Sequence, residues 1–227
     1  MGEISGAQAI QLDACKESIE WAKETQRTYL RQRLQLKYYQ LLHDSQESGQ
    51  AIAGLSALLR ELKRLDDKPL LVESLLLESR IERSLHSLAK SKAALTSART
   101  NANAIYCPQK LQAELDWMNG VLNADEHDYK TAYSYFFESF EGFDAVEEKT
   151  KALNTFKYML MSKIMSGHTD ELGAIITTKN GAKYATSDAV KAMQGIGKAR
   201  RESSLHDFMH FRDQYKACLL YTSPSPR

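Results

Sequence analysis

Two histidines, His206 and His210, stand four residues apart in HDFMH, a spacing that sets both imidazoles on one face of a helix. That pairing is how a helical zinc site begins. The rest of such a site is missing. Asp207 follows the first histidine where a metalloprotease helix carries glutamate, and no third ligand is evident. A solvated helix face without metal is the reading this supports. Gly195-Ile196-Gly197 is half of a dinucleotide fingerprint, but it sits inside a helical pattern with no strand before it. Nothing there would cradle a phosphate. Lys198-Ala199-Arg200-Arg201 could touch RNA or an acidic partner; a basic last turn also suits the negative end of a helix, and that reading is preferred. No serine, cysteine or lysine has a base beside it in a nucleophile motif. The aromatic run Tyr133, Phe136, Phe137 and Phe140 reads as core rather than ligand platform. No catalytic, cofactor-binding or metal residue is therefore expected, and the chain is expected not to be an enzyme.

The elements that carry these residues are helices. Ala132, Phe136, Ser139 and Phe143 are spaced 4, 3 and 4, so they share one helical face. Small, bulky, small is a pattern that lets two helices approach while a ring fills the gap beside them. The same beat runs through Ala51, Leu55, Leu58 and Leu62, then through Ser91, Leu95, Ala98 and Ala102. It returns, degraded, at Ala189, Met193 and Ile196. The period is near 40 residues, as in an α-solenoid whose helix pairs bury their faces on their neighbours. The expected architecture is all-α: a right-handed solenoid of tetratricopeptide-like helix pairs, with Phe136 and Leu95 between helices. Solenoids are protein-binding surfaces far more often than enzymes.

Expected helices run from about Leu12 to His43, Gln50 to Leu65, Leu70 to Leu88, Ala89 to Ala104, Gln109 to Ala124, Tyr129 to Phe143 and Glu147 to Met165. Pro69 suits a first helical turn. Ile175–Thr178 could be a strand, but four residues without a partner fit a short helix or turn better. Asp188 to Arg200 and Ser203 to Tyr215 complete the series, with Asp188 and Ser203 as N-caps. The final residues, CLLYTSPSPR, differ in composition and read as translated adapter or vector sequence over 217–227. On that reading the chain is a fragment.

Bulk properties narrow the classes. With 43% hydrophobic residues in 227, the chain can build an extended core. Thirty basic against twenty-nine acidic side chains give +1, so no global field points to nucleic acid or an anionic membrane. Three scattered cysteines, Cys15, Cys107 and Cys218, fit a reducing compartment. Cys15 and Cys107 are expected to pack as small hydrophobes. The start lacks a basic stretch before an apolar core, so no secretory signal is read. Leu70–Leu77 is interrupted by Glu73 and too short to span a bilayer. Met1-Gly2 opens a myristoylation pattern that fails at Gly6. A soluble intracellular protein is expected.

Four longer segments carry a resemblance. They are RELKRLDDKPLLVESLLLES at 60–79, KAALTSARTNANAIYCPQKLQAELD at 92–116, DYKTAYSYFFESFEGFDAV at 128–146 and FKYMLMSKIM at 156–165; SLHDF at 204–208 adds a little. Together they resemble the proteasome–signalosome–initiation-factor (PCI) family, from about Leu12 to Tyr215. The resemblance implies tetratricopeptide-like repeats over 12–126, the helical part of a PCI domain over 128–216, and a winged helix that would follow. It implies a non-catalytic scaffold of the proteasome regulatory-particle lid, acting in ubiquitin-dependent degradation in cytoplasm and nucleus. Implied partners are other lid subunits and subunits of the ATPase ring and core particle, with no cofactor, nucleic acid or membrane. Scaffold subunits of the COP9 signalosome or of translation initiation factor 3 share the architecture, and a helical-repeat peptide adaptor is a further alternative. KAALTSARTNANAIYCP favours the lid. A lid deubiquitinase would need a clustered His/Asp motif on an α/β fold, and neither is read. The Leu12–Tyr215 block is expected to stay helical without its neighbours but not to join a lid, since pairing would need the winged helix. Cys15, Ile19, Phe208 and Phe211 are expected to be unusually exposed at its ends.

Overall fold

The computed structural model describes residues 7–216, and every regular element among them is helical. The 217–227 tail reading lies outside the described residues, as does Cys218. The chain divides into two compact units, one running to Cys107 and the other beginning at Pro108. The first holds α1 (Ala7–Glu24), α2 (Thr28–Asp44), α3 (Ser48–Leu65), α4 (Lys68–Ser84) and α5 (Leu88–Asn103). The second holds α6 (Gln109–Asp125), α7 (Tyr129–Ala145), α8 (Lys149–Met165), α9 (Leu172–Thr177), α10 (Asp188–Arg201) and α11 (Leu205–Gln214). Short 3₁₀ turns at Thr169–Glu171 and Gly181–Lys183 flank α9. Within each unit neighbouring helices pack on one another, with α8 meeting α10 across the short α9, the all-α solenoid arrangement.

The helices end at a regular step. Gln26, Gln46, Asp66 and His86 all have a left-handed backbone, with φ of 55°, 67°, 54° and 59°. His127, Glu147 and Gly167 repeat this in the second unit, at 65°, 58° and 84°. Each residue follows its predecessor in the unit by twenty positions. At Gln26 the turn is closed by its own N–H on the Lys23 carbonyl (3.1 Å) and by the Arg27 N–H on the Ala22 carbonyl (2.9 Å). The same two bonds recur around Gln46, His86, His127, Glu147, Gly167 and Ser203. They form a Schellman cap, which satisfies carbonyls the helix end would orphan.

These turns correct several boundaries. The single helix expected from Leu12 to His43 is two helices, because Gln26 reverses the chain between Glu24 and Thr28. The helix expected to reach Leu88 stops at Ser84, ahead of the left-handed His86. The N-caps of α10 and α11 are Ser187 and Ser204, not Asp188 and Ser203. Ser203 occupies the left-handed position, and Ser204 Oγ accepts from the Asp207 N–H at 3.2 Å. Asp67 caps α4 by accepting from the Leu70 N–H at 3.4 Å, with Pro69 in the first turn. Ile175–Thr177 belong to α9, a helix and not a strand.

In the first unit α4 lies against both α3 and α5, so it is buried on nearly every side. Leu70, Val72, Leu75, Leu76 and Ile81 are all within 2% of full burial. Ala51, Leu55 and Leu58 face it from α3, buried, as are Ser91, Leu95 and Ala98 on α5. Ser91 Oγ donates to the Ser79 carbonyl at 2.8 Å, which joins α4 and α5 where their side chains are smallest. In the second unit α7 lies between α6 and α8. Ala132, Phe136 and Ser139 are fully buried, and Ser139 Oγ donates to the Ala113 carbonyl on α6 at 2.8 Å. The Phe136 ring stacks on Tyr158 at 5.5 Å, and Phe140 meets Phe156 at 4.9 Å. Phe137 departs from the expected core stripe. It stands a third of a turn round from Phe136 and is 37% exposed.

A candidate protein-interaction site on the second unit

His206 and His210 lie on α11, and both side chains are exposed. Among the described residues no three His, Cys, Asp or Glu side chains are grouped to hold a metal ion. Gly195 and Gly197 are buried in the middle of α10 and serve packing. A Cβ on Gly195 would come within 2.5 Å of the Phe211 ring, and one on Gly197 would strike Leu172. Small residues here let α10 lie close to α9 and α11. Ala189 and Met193 are buried on the same helix. Lys198, Arg200 and Arg201 occupy its last turn, where the helix dipole favours cations, and Arg201 reaches Asp170 at 3.8 Å.

Apolar side chains stay exposed at both ends of the series, though only partly where expected. Cys15 and Ile19 are half-buried, because the turn at Gln26 folds α1 back on α2. Ile10 and Tyr29 protrude instead, at 70% and 71%. Phe211 is half-buried with its ring over Gly195, while Phe208 is exposed. Cys15 and Cys107 are likewise half-buried rather than core.

A groove of about 650 Å³ opens between α8, α10 and α11. Met161 and Met165 from α8, Met193 and Ile196 from α10, and Leu205 and Phe208 from α11 form its apolar lining. Its charged lining residues are Lys157, Arg200 and Arg212. The sequence held one sign of it: in FKYMLMSKIM, Met161 and Met165 fall four apart on one helix face. Nothing in the pattern showed that α10 and α11 would flank that face.

A second feature invisible in the sequence fixes the 3₁₀ turn beside α10. Asp144, at the end of α7, accepts from Lys183 Nζ at 2.6 Å and from the Tyr184 hydroxyl at 2.9 Å. The Tyr184 ring meets Phe140 edge-on at 5.6 Å. Burial pushes the Asp144 carboxyl up, but the Lys183 and Tyr184 donors outweigh it and hold the group below its ordinary 3.8. Burial first, then the bond to Asp144, pushes the Tyr184 hydroxyl from 10.0 up to about 12. The signs follow from linkage. Asp144, with its depressed value, stabilises above pH 3.8 and loses that contribution as the pH falls further. Tyr184, with its raised value, stabilises below pH 10 and loses that contribution as the pH climbs toward 12. Melting temperatures of the chain and of Tyr184→Phe are expected to converge between pH 10 and 12. Parallel curves across that range would show that the bond does not couple to stability.

Residues 1–45 match the family model described as the 26S proteasome regulatory subunit RPN6 N-terminal domain. A protein of Dictyostelium discoideum, "26S proteasome non-ATPase regulatory subunit 11", is 48% identical over 204 residues, covering 90% of this chain and 49% of its own length. The chain is a homologue of these regulatory subunits. The subunit 11 homologue of Arabidopsis thaliana is 45% identical over 219 residues, 96% of this chain and 52% of its own length. The RPN6 subunit of Saccharomyces cerevisiae is 43% identical over 213 residues, 92% and 49%. The chain spans about half the length of the subunit 11 relatives it matches. Their names place them in the proteasome, and none of these matches names the signalosome or initiation factor 3. The Dictyostelium and Arabidopsis names also describe non-ATPase regulatory subunits. Among the described residues no helix is long and apolar enough to cross a membrane.

Proposed function

We propose that this chain is part of a non-catalytic scaffold subunit of the 26S proteasome regulatory-particle lid, supporting lid assembly and lid contacts to the ATPase ring and core particle. The observation that carries this is identity of 43–48% to subunit 11 relatives across nine-tenths of the chain. Residues 12–126 act as tetratricopeptide-like repeats and 128–216 as the helical part of a PCI domain. The partners are other proteasome subunits, not nucleic acid or membrane, in cytoplasm and nucleus. No cofactor takes part.

The test is affinity purification of the whole protein that contains this chain, tagged at its natural locus. Stoichiometric recovery of lid, ATPase-ring and core-particle subunits by mass spectrometry is the expected result. Recovery of signalosome or initiation-factor subunits in their place would overturn the proposal.

A further inference from the structure

We infer that His43 is an acid-sensitive joint of the first unit. A one-way chain of hydrogen bonds holds its ring in the Nδ1–H form, and a further proton loosens the contact of α2 with α3 and α4. The bonds cross three helices. His43 Nδ1, in the last turn of α2, lies 3.1 Å from Ser48 Oγ at the start of α3. Ser48 Oγ lies 3.2 Å from Ser84 Oγ at the end of α4. Ser84 Oγ in turn donates to the Ile81 carbonyl at 2.6 Å. All three helices belong to one compact unit, so no partner is needed to form the joint.

Counting hydrogens sets the direction. A hydroxyl has a single hydrogen to give. Ser84 spends its own on Ile81, so Ser48 donates to Ser84. Ser48 then has none left for the imidazole, and His43 Nδ1 must carry the hydrogen between them. The neutral ring thus keeps its lone pair on Nε2, and a further proton enters there. That proton puts a charge into a half-buried site. Burial opposes the imidazolium most, Asp44 beside it on α2 favours it, and Arg80 on α4 opposes it. From α3 the ring meets the Ser48 hydroxyl. The balance holds the ring below its ordinary 6.5, so the unfolded chain takes this proton first as the pH falls. Stability from the neutral ring is complete above pH 6.5 and is lost as the pH drops below it.

The test is nitrogen-15 NMR of the histidine rings in the 227-residue chain, with ring resonances assigned through the backbone. At about pH 8 the His43 ring is expected in the Nδ1–H form, and its titration midpoint is expected below 6.5. Ser84→Ala frees the Ser48 hydrogen to turn toward Nδ1, so the ring should change to the Nε2–H form. Asp44→Asn alters an exposed side chain and should lower the midpoint further. A second arm measures stability. Asparagine at position 43 keeps an N–H where Nδ1 stands and cannot take a charge. In a Trp117→Phe background the fluorescence of Trp21 follows urea unfolding of the first unit. Between about pH 8 and 5 the urea midpoint should fall further with His43 in place than in His43→Asn. An Nε2–H ring in the unaltered chain, a tautomer unmoved by Ser84→Ala, or a midpoint at or above 6.5 would overturn the inference. So would equal losses of urea midpoint. Should His43→Asn fail to fold, the ring spectra decide the matter alone.

Discussion

Replacing Phe136 by alanine is expected to cost about 3–5 kcal/mol, the range for deleting a fully buried aromatic ring. The ring has no exposed surface, stacks on Tyr158 at 5.5 Å, and fills the space left by Gly120 on α6. It therefore touches all three helices at the centre of the second unit. Collapse around the void is resisted because Ser139 pins α7 to the Ala113 carbonyl of α6. The chain has two tryptophans, Trp21 in the first unit and Trp117 in the second. Trp117 lies edge-on to Tyr158 at 6.2 Å. Urea titration followed by fluorescence in a Trp21→Phe background thus reports the second unit. A loss below about 1 kcal/mol would show that the ring is not the keystone described.

The second expectation is a coupling. A Cβ on Gly120 would lie 2.6 Å from the Phe136 ring, closer than carbon atoms tolerate. Two effects oppose each other in Gly120→Ala. Helix propensity gains about 1 kcal/mol. Overpacking against a ring costs about 1–3 kcal/mol, and the ring is held by Tyr158 and cannot swing aside. The net is expected to be destabilising. In a Phe136→Ala background the clash vanishes and the added methyl enters the void, so the same substitution should become stabilising. The interaction energy in the double-mutant cycle is expected to exceed about 1 kcal/mol. Additive effects would mean that α6 can shift away from α7 at little cost.

The sequence disclosed faces more readily than ends. Ala132, Phe136 and Ser139, or Ser91, Leu95 and Ala98, announce themselves because burial imposes a spacing on side-chain type, and both sets are buried. The turns were silent, since a left-handed residue after a helix is usually recognised as glycine. Among the described residues Gly167 is the one glycine of eight such positions; Gln, Asp, His, Glu and Ser fill the others. Their φ is imposed by packing on both sides of the turn, which a local pattern does not register. Phe137 was misread because an aromatic run looks continuous along the chain while the helix rotates it out of the core. The groove escaped for a different reason. Its walls come from α8, α10 and α11, with Met161 and Leu205 forty-four positions apart along the chain, and no local signal joins them. The Asp144–Tyr184 bond spans forty positions in the same way.

The twenty-residue step has a consequence for how such a chain can change length. One residue inserted in mid-helix turns everything after it by about 100°. Ahead of Ala132 it would roll Phe136 and Ser139 toward water and bring polar neighbours inward. Loss of a whole helix of the series reverses the direction of every helix beyond it. Loss or gain of two adjacent helices with their turns, forty residues, returns each face to its place. Length in this chain is therefore quantised in hairpins. Insertions of other sizes are confined to stretches that have left the rhythm, such as the 3₁₀ turns around α9.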